Sequence, residues 1–301
     1  MNQKLRFNPG ISAYMGAILL WGVTFVISKS LLNEVGPFLM TFLRFFLAIL
    51  VIYPFAHREG FRLSMMFQPV MLFLGFFGIL LTYGLQNVAL QYTSAGNAAL
   101  IYASLPAVVA LLSALILKEY LNWLRIFGIL FSVIGVVLIS LNDISSFGGR
   151  LLLGNSLMVG AVLSYAIYMV TSKKYVHELS PFSLTAGCFL AGLLFLIPAA
   201  SIEVWNTGLP QISWPGFFSL LYLGLGASAL ATFLQLYGLS FIDASLAAVF
   251  LNLVPIVGLF AALIAGEKAS VLQVFGGFIA IIGVLICNLG PQKENTKYTI
   301  G

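Results

Sequence analysis

Ten apolar runs follow one another along the chain, separated by short polar or proline-marked connections. They fall near residues 10–30, 37–56, 67–90, 94–117, 123–141, 153–175, 181–202, 215–238, 243–266 and 271–289. A run of about 20 residues with few charges matches the thickness of a hydrocarbon layer, so each predicts a transmembrane helix. Pro37, Pro181 and Pro215 stand at run starts, where a missing N–H costs little. The connections at Gln91–Thr93 and Ser240–Ile242 are the shortest. Lys4 and Arg6 precede the first run as they would in a signal peptide. That run is nevertheless long, lacks a small-x-small cleavage site and is followed by many like it, so it is read as a retained span.

Composition fixes the solvent. The 301 residues are 61% hydrophobic and 8% charged, with a mean hydropathy of +1.06. A soluble domain would carry roughly a quarter charged residues. The surface must therefore face a lipid bilayer, and no room is left for a soluble catalytic domain. The net charge of +5 does not indicate a nucleic-acid partner, because the basic residues form no patch or stripe. Cys188 and Cys287 fall inside apolar runs and read as small buried hydrophobes.

An even number of spans puts both termini on one side. That side then holds Lys4, Arg6, Arg58, Arg62, Lys118, Arg125, Lys173, Lys174, Lys293 and Lys297, while the other holds Lys29, Arg150 and Lys268. The positive-inside bias places the amino and carboxyl termini in the cytoplasm and the chain in the cell membrane.

The chain also repeats itself. Residues 16–54 align without a gap on 160–198, matching Gly16 with Gly160, Lys29 with Lys173, Glu34 with Glu178, Pro37-Phe38 with Pro181-Phe182, Thr41 with Thr185, Phe45 with Phe189 and Pro54 with Pro198. Further on, Gln86 matches Gln235, Pro106 matches Pro255, Glu119 matches Glu267, and Ile134-Gly135-Val136 matches Ile282-Gly283-Val284. The expected units are residues 1–149 and 150–301, each of five spans. Because five is odd, the second unit enters the bilayer in the opposite sense, which predicts an inverted repeat with a pseudo-two-fold axis in the membrane plane. Two faces of similar energy, open to opposite sides, suit alternating access.

Several motifs resemble those of the drug/metabolite transporter superfamily, in particular its ten-helix EamA branch. They are Trp21-Gly22, Leu43-Arg44-Phe45, Pro106, Lys118-Glu119 and Gly266-Glu267. The resemblance implies a basket of spans 1–4 and 6–9 around a central cavity, with spans 5 and 10 at the periphery. It implies export of amino acids, other metabolites or toxic organic compounds. One departure stands out: Cys188 occupies the position that matches Arg44.

Candidate chemistry sits in a few polar positions. Arg44 is the only basic residue deep in a span, where a charge costs more than about 2.5 kcal/mol. It is either an anchor for a substrate carboxylate or phosphate, or a bracket that donates to a neighbouring span. Trp21 and its counterpart Tyr165 lie mid-span and suggest facing aromatic walls. Tyr83, Gln86, Asn97, Tyr102, Gln235 and Asn252 add phenols and amides that must find partners at that depth. Lys29 and Lys173 either snorkel to headgroups or act as gates that pair with Glu34 and Glu178. Glu119 and Glu267 either cap helix ends or hold gates closed. Pro106 and Pro255 each remove a backbone hydrogen bond and predict a kink or hinge. The small residues Gly128, Ser132, Gly135 and Gly276, Ala280, Gly283 predict close helix contact, within the chain or in a homodimer.

No span carries a carboxylate at its middle, which argues for facilitated export or exchange, with proton coupling through Glu119 or Glu267 as the alternative. The sequence has no H-E-x-x-H metal pair, no paired mid-span aspartates and no Ser–His constellation, so an intramembrane enzyme is disfavoured and no cofactor is expected. A passive channel is the alternative reading; it would need a continuous polar ring, and the polar residues here are sparse and mostly uncharged. The expected partners are a small-molecule substrate and the bilayer.

Overall fold

The computed structural model describes residues 9–116, 122–141, 149–175, 179–239 and 253–289. All of the described elements are helical. Helix α1 is Pro9–Leu31 and α2 is Pro37–Arg58. After a short 3-10 turn at Leu63–Phe67 comes α3, Pro69–Leu90, then α4, Ala95–Ile116, and α5, Trp123–Leu141. The second half holds α6, Gly149–Tyr175, and α7, Pro181–Thr207. Helix α8 runs from Trp214–Leu221 through Tyr222–Leu230 to Ala231–Leu239. Leu253–Ile264 is α9 and Val271–Leu289 is α10. Among the described residues, seven helices are long and apolar enough to cross a membrane; Ile126–Ile139, Leu253–Ile264 and Val271–Ile286 are shorter apolar helices. Residues 243–252 of the expected ninth span lie outside the described residues.

Local sequence explains where the helices start and stop. Ser94, Ser180 and Ser213 are N-caps whose hydroxyls accept from the backbone N–H of Asn97, Ser183 and Gly216, at 2.9, 3.1 and 3.1 Å. Prolines follow the caps of α2, α3, α7 and α8. Gly208 ends α7 at φ +80°, a conformation that side chains with a Cβ rarely adopt.

Large apolar side chains such as Leu50, Leu115, Ile197 and Phe218 are exposed on the outside of the bundle. Polar and charged groups such as Arg44, Asn87 and Gln86 are buried. That is the reverse of a soluble protein, and it identifies lipid as the outer solvent.

The helices pair across the halves. Helix α2 packs on α7, α5 on α10 and α4 on α9. The pairs α1–α8 and α1–α9 have counterparts in α3–α6 and α4–α6 on exchange of α1–α5 with α6–α10. Helices α2 and α7 run antiparallel: Leu39 lies at Glu203, Phe45 at Phe189 and Phe55 at Phe182. Helices α5 and α10 are antiparallel too. A Cβ on Gly135 would come within 2.5 Å of the Ala280 nitrogen and the Gly276 oxygen, and one on Gly283 within 2.4 Å of the Ser132 nitrogen. The small-residue stripes of these two helices therefore meet each other inside the chain.

Candidate functional site

The interior site is built around Arg44, one turn beyond Thr41 on α2. Its side chain is 2% exposed. Nε donates to Ser228 Oγ on α8 at 2.8 Å, while Nη1 has no hydrogen-bond partner. The guanidinium carbon lies 4.7 Å from the Tyr83 ring centroid and 5.5 Å from that of Phe45. Such cation–π contacts offset part of the cost of burying the charge, by about 0.5–2 kcal/mol each.

Phenols surround this cation. Tyr83, Tyr222 and Tyr102 lie within its electrostatic range. Tyr102 on α4 contacts Tyr165 on α6 at 6.0 Å between centroids, and Tyr165 contacts Tyr168 at 5.4 Å. Phe25 on α1 closes on Tyr102 at 5.7 Å. Helices of both halves thus supply one aromatic cluster, and Arg44 is its cation.

Two irregular segments position the cluster. Phe76–Leu81 in α3 and Tyr222–Leu230 in α8 are π-helical, each with a widened turn. The α8 segment receives three ties: Arg44 to Ser228, Trp21 Nε1 to the Ala227 carbonyl at 2.9 Å, and its own Tyr222 hydroxyl donating to the Leu20 carbonyl at 2.8 Å. Gly224 lets α2 approach, since a Cβ there would sit 2.7 Å from Leu47 Cβ. The α3 segment faces α6, where Gly78 lies against the Tyr168 ring. Apolar periodicity carries no signal for a π turn, so sequence reasoning missed both segments.

The structure sorts the expected site residues. Tyr83, Tyr102 and Tyr165 join Arg44 in the cluster. The Trp21 indole binds α8 and packs with Tyr14, Ile18 and Val254. Gln86 is buried on α3, beside Asn87, whose Nδ2 donates to Thr41 Oγ1 at 2.8 Å. Gln235 hydrogen-bonds Tyr14, tying α8 to α1. Asn97 is not mid-membrane: it lies in the first turn of α4, in a cleft with Ser94, Gly96, Leu259, Glu267 and Gln273. Helix α4 breaks at Ala103–Ser104 and Pro106 opens its second segment, as the proline predicts. Pro255 lies buried in the first described turn of α9. Asn252 and Glu119 lie outside the described residues, as does the side chain of Lys173.

At the helix ends, each of the four described acidic side chains reaches into the other half. Glu267 after α9 accepts from the Ala95 and Gly96 N–H groups at the start of α4, both at 2.9 Å. It also pairs with Lys29 Nζ at 3.7 Å, while Lys29 donates to the Thr93 carbonyl. Lys29 does not pair with Glu34, the alternative to snorkelling that the sequence offered; Glu34 accepts from Ser213 at the cap of α8, 2.7 Å from both its N–H and its hydroxyl. Those two bonds hold the exposed Glu34 carboxyl below the usual glutamate range. Glu203 accepts from Leu39 N–H at 2.7 Å and Phe38 N–H at 3.3 Å at the start of α2. At the opposite end of the bundle, Ser180 at the cap of α7 donates to Glu59. Sequence reasoning passed over Glu59 and Glu203, although the register that pairs Phe45 with Phe189 also pairs these two.

Comparison with known proteins agrees with the geometry. The profile of the EamA-like transporter family matches residues 8–141 and 152–289. A transporter of Archaeoglobus fulgidus, described as uncharacterized, is 31% identical over 273 residues, covering 89% of this chain and 93% of that one. The Bacillus subtilis transporter YyaM, also described as uncharacterized, is 29% identical over 299 residues, covering 94% and 95%. A transporter of Chlamydia muridarum named for S-adenosylmethionine and S-adenosylhomocysteine is 27% identical over 197 residues, 62% of each chain. One solved crystal structure is similar in fold, with a TM-score of 0.63 and 22% identity over 93% of this chain and 97% of that one. Multi-pass in a membrane, carrying the family profile in each half, the chain belongs to the EamA-like transporter family.

Proposed function

We propose that the protein exports small metabolites, amino acids or related amphipathic compounds, by alternating access of two inverted five-helix halves, residues 1–149 and 150–301. Both termini face the cytoplasm, and the chain resides in the cell membrane. The observation that carries this reading is the reciprocal bonding of the halves. Breakable carboxylate contacts join them at the helix ends, and the Arg44–tyrosine cluster lies between them. Opening toward one face separates the contacts at that end, and the interior site then changes sides.

In this reading Arg44, Tyr83, Gln86, Tyr102 and Tyr165 line the substrate path, and Trp21 and Gln235 hold its α8 wall. Lys29 and Glu267 gate the end that holds Glu34 and Glu203, which is the extracellular one by the distribution of basic residues. Pro106 supplies a hinge. Lys173, Glu119, Pro255 and Asn252 are the counterparts expected in the second half. The described carboxylates all lie at helix ends, which favours facilitated export or exchange. The relative named for S-adenosylmethionine and S-adenosylhomocysteine supports an amino-acid-like substrate.

The test is flux in proteoliposomes. Wild-type protein is expected to release preloaded amino acids or amphipathic metabolites, and Trp21→Ala or Gln86→Ala to slow that release at equal reconstitution. Unchanged flux in both variants would remove these residues from the path.

A further inference from the structure

We infer that Arg44 is a carboxylate-recognising subsite, so that the substrates are organic carboxylates with an apolar or aromatic body. This rests on the transport reading and names the chemistry its interior selects. Three observations converge. The guanidinium is 2% exposed, and its Nη1 donor is unpartnered while Nε is bonded to Ser228. A buried donor left unpaired costs more than a bonded one gains, so a group that accepts from Nη1 stabilises the site. No described carboxylate lies beside it; Glu34, Glu59, Glu203 and Glu267 are all engaged at helix ends. The counter-charge therefore comes from outside the described protein groups.

The second half supplies the other end of the ligand's description. Arg44 and Cys188 occupy equivalent positions and immediately precede Phe45 and Phe189, whose rings meet at 4.9 Å. The guanidinium carbon lies 4.7 Å from the Tyr83 ring centroid, and Tyr102, within its electrostatic range, leads through Tyr165 to Tyr168, which packs on the apolar surroundings of Cys188. The guanidinium offers a planar fork suited to a carboxylate, and the rings beside it offer aromatic walls. A molecule with a carboxylate at one end and a ring at the other matches this chemistry.

The experiment uses three probes of one shape: phenylalanine, 3-phenylpropionate and 2-phenylethylamine, with chloride as the inorganic control. Binding is read as a shift in melting temperature of the purified protein, and transport as uptake into proteoliposomes. Both carboxylates are expected to bind on the order of tenfold or more tightly than the amine, as for a charge-assisted pair. That preference should vanish in Arg44→Gln and persist in Arg44→Lys and Ser228→Ala. Equal binding of the amine, no binding of either carboxylate, an effect of chloride alone, or loss of preference in Ser228→Ala equal to that in Arg44→Gln each overturns the subsite. Carboxylate binding without uptake would instead sink the transport reading and leave the subsite standing. Uptake of the amine without carboxylate preference would do the reverse.

Discussion

Phe45 and Phe189, which hold the same position in the two halves, meet edge to face with centroids 4.9 Å apart and an interplanar angle of 70°. Equivalent residues touch on antiparallel helices only near an axis perpendicular to them. The proposed pseudo-two-fold axis therefore passes through this ring pair, one residue from Arg44 and Cys188. Truncating either ring removes apolar contact at the centre of the bundle. Phe45→Ala is expected to lower stability by about 3–5 kcal/mol, with Phe189→Ala close behind. Thermal unfolding in detergent measures this; a loss under 1 kcal/mol at both positions would show that the pair does not hold the halves together.

The Glu267 carboxylate combines a cap and an ion pair, and the two contribute unequally. Lys29 and Glu267 side chains are 38% and 22% exposed, so their mutual term should stay below about 1 kcal/mol. Losing the α4 cap costs about 0.5–2 kcal/mol. Glu267→Gln should therefore destabilise the protein more than Lys29→Gln, and it should raise labelling of an Asn97→Cys variant by an impermeant maleimide. A double-mutant cycle gives the coupling, and unchanged labelling would remove Glu267 from the gate.

Trp21 has two functions that separate on substitution. Trp21→Phe keeps a ring but loses the bond to Ala227, a loss of about 1 kcal/mol. Trp21→Ala also empties the packing against Ile18 and Val254. Stability should fall modestly in the first and strongly in the second. Equal losses in both would mean that the indole N–H carries the whole contribution of Trp21 and its ring packing none.

Where α5 meets α10 at Gly135 there is no space for a side chain. A methyl group at Gly135 would press on the backbone of Gly276 and Ala280, so Gly135→Ala should cost about 1–3 kcal/mol. Because that face is spent within the chain, the particle mass from light scattering should not change. A shift in mass would place the stripe between subunits after all.

Glu34 offers a pH dependence with a defined sign. Its carboxyl titrates below the ordinary value of 4.5, because the Ser213 hydroxyl and N–H bond the ionised form. The contact is therefore complete above that ordinary value and is lost as pH falls through the lower, folded one. Ser213→Ala should move the titration back up, as followed by carboxylate infrared absorption. An unmoved titration would mean that Ser213 does not hold Glu34.

Much of this was legible along the chain. Among the described residues the apolar runs became seven helices long enough to cross a membrane and three shorter ones, and the break before Pro106 followed from proline's missing N–H. The likeness of Glu267 to a cap or a gate was also readable, and it engages both an α4 cap and Lys29. Its partners were not readable, because Lys29 and Glu267 stand 238 positions apart and their meeting depends on how α1, α4 and α9 pack. The π segments of α3 and α8 left no trace in hydropathy, so the bond of the Trp21 indole to the Ala227 carbonyl could not be foreseen.

Hydrophobic run length, charge placement and internal repetition determine by themselves that the chain lies in lipid, that its halves resemble each other and that Arg44 is an unusual buried cation. These are properties of residues against their solvent, and they need no knowledge of neighbours. Tertiary packing alone decided that Arg44 keeps an unpartnered Nη1, that the small stripes of α5 and α10 satisfy one another, and that each described carboxylate bonds at the start of a helix of the opposite half. Those outcomes depend on which backbone donors come within 3 Å of which oxygens, and helix crossing sets that distance.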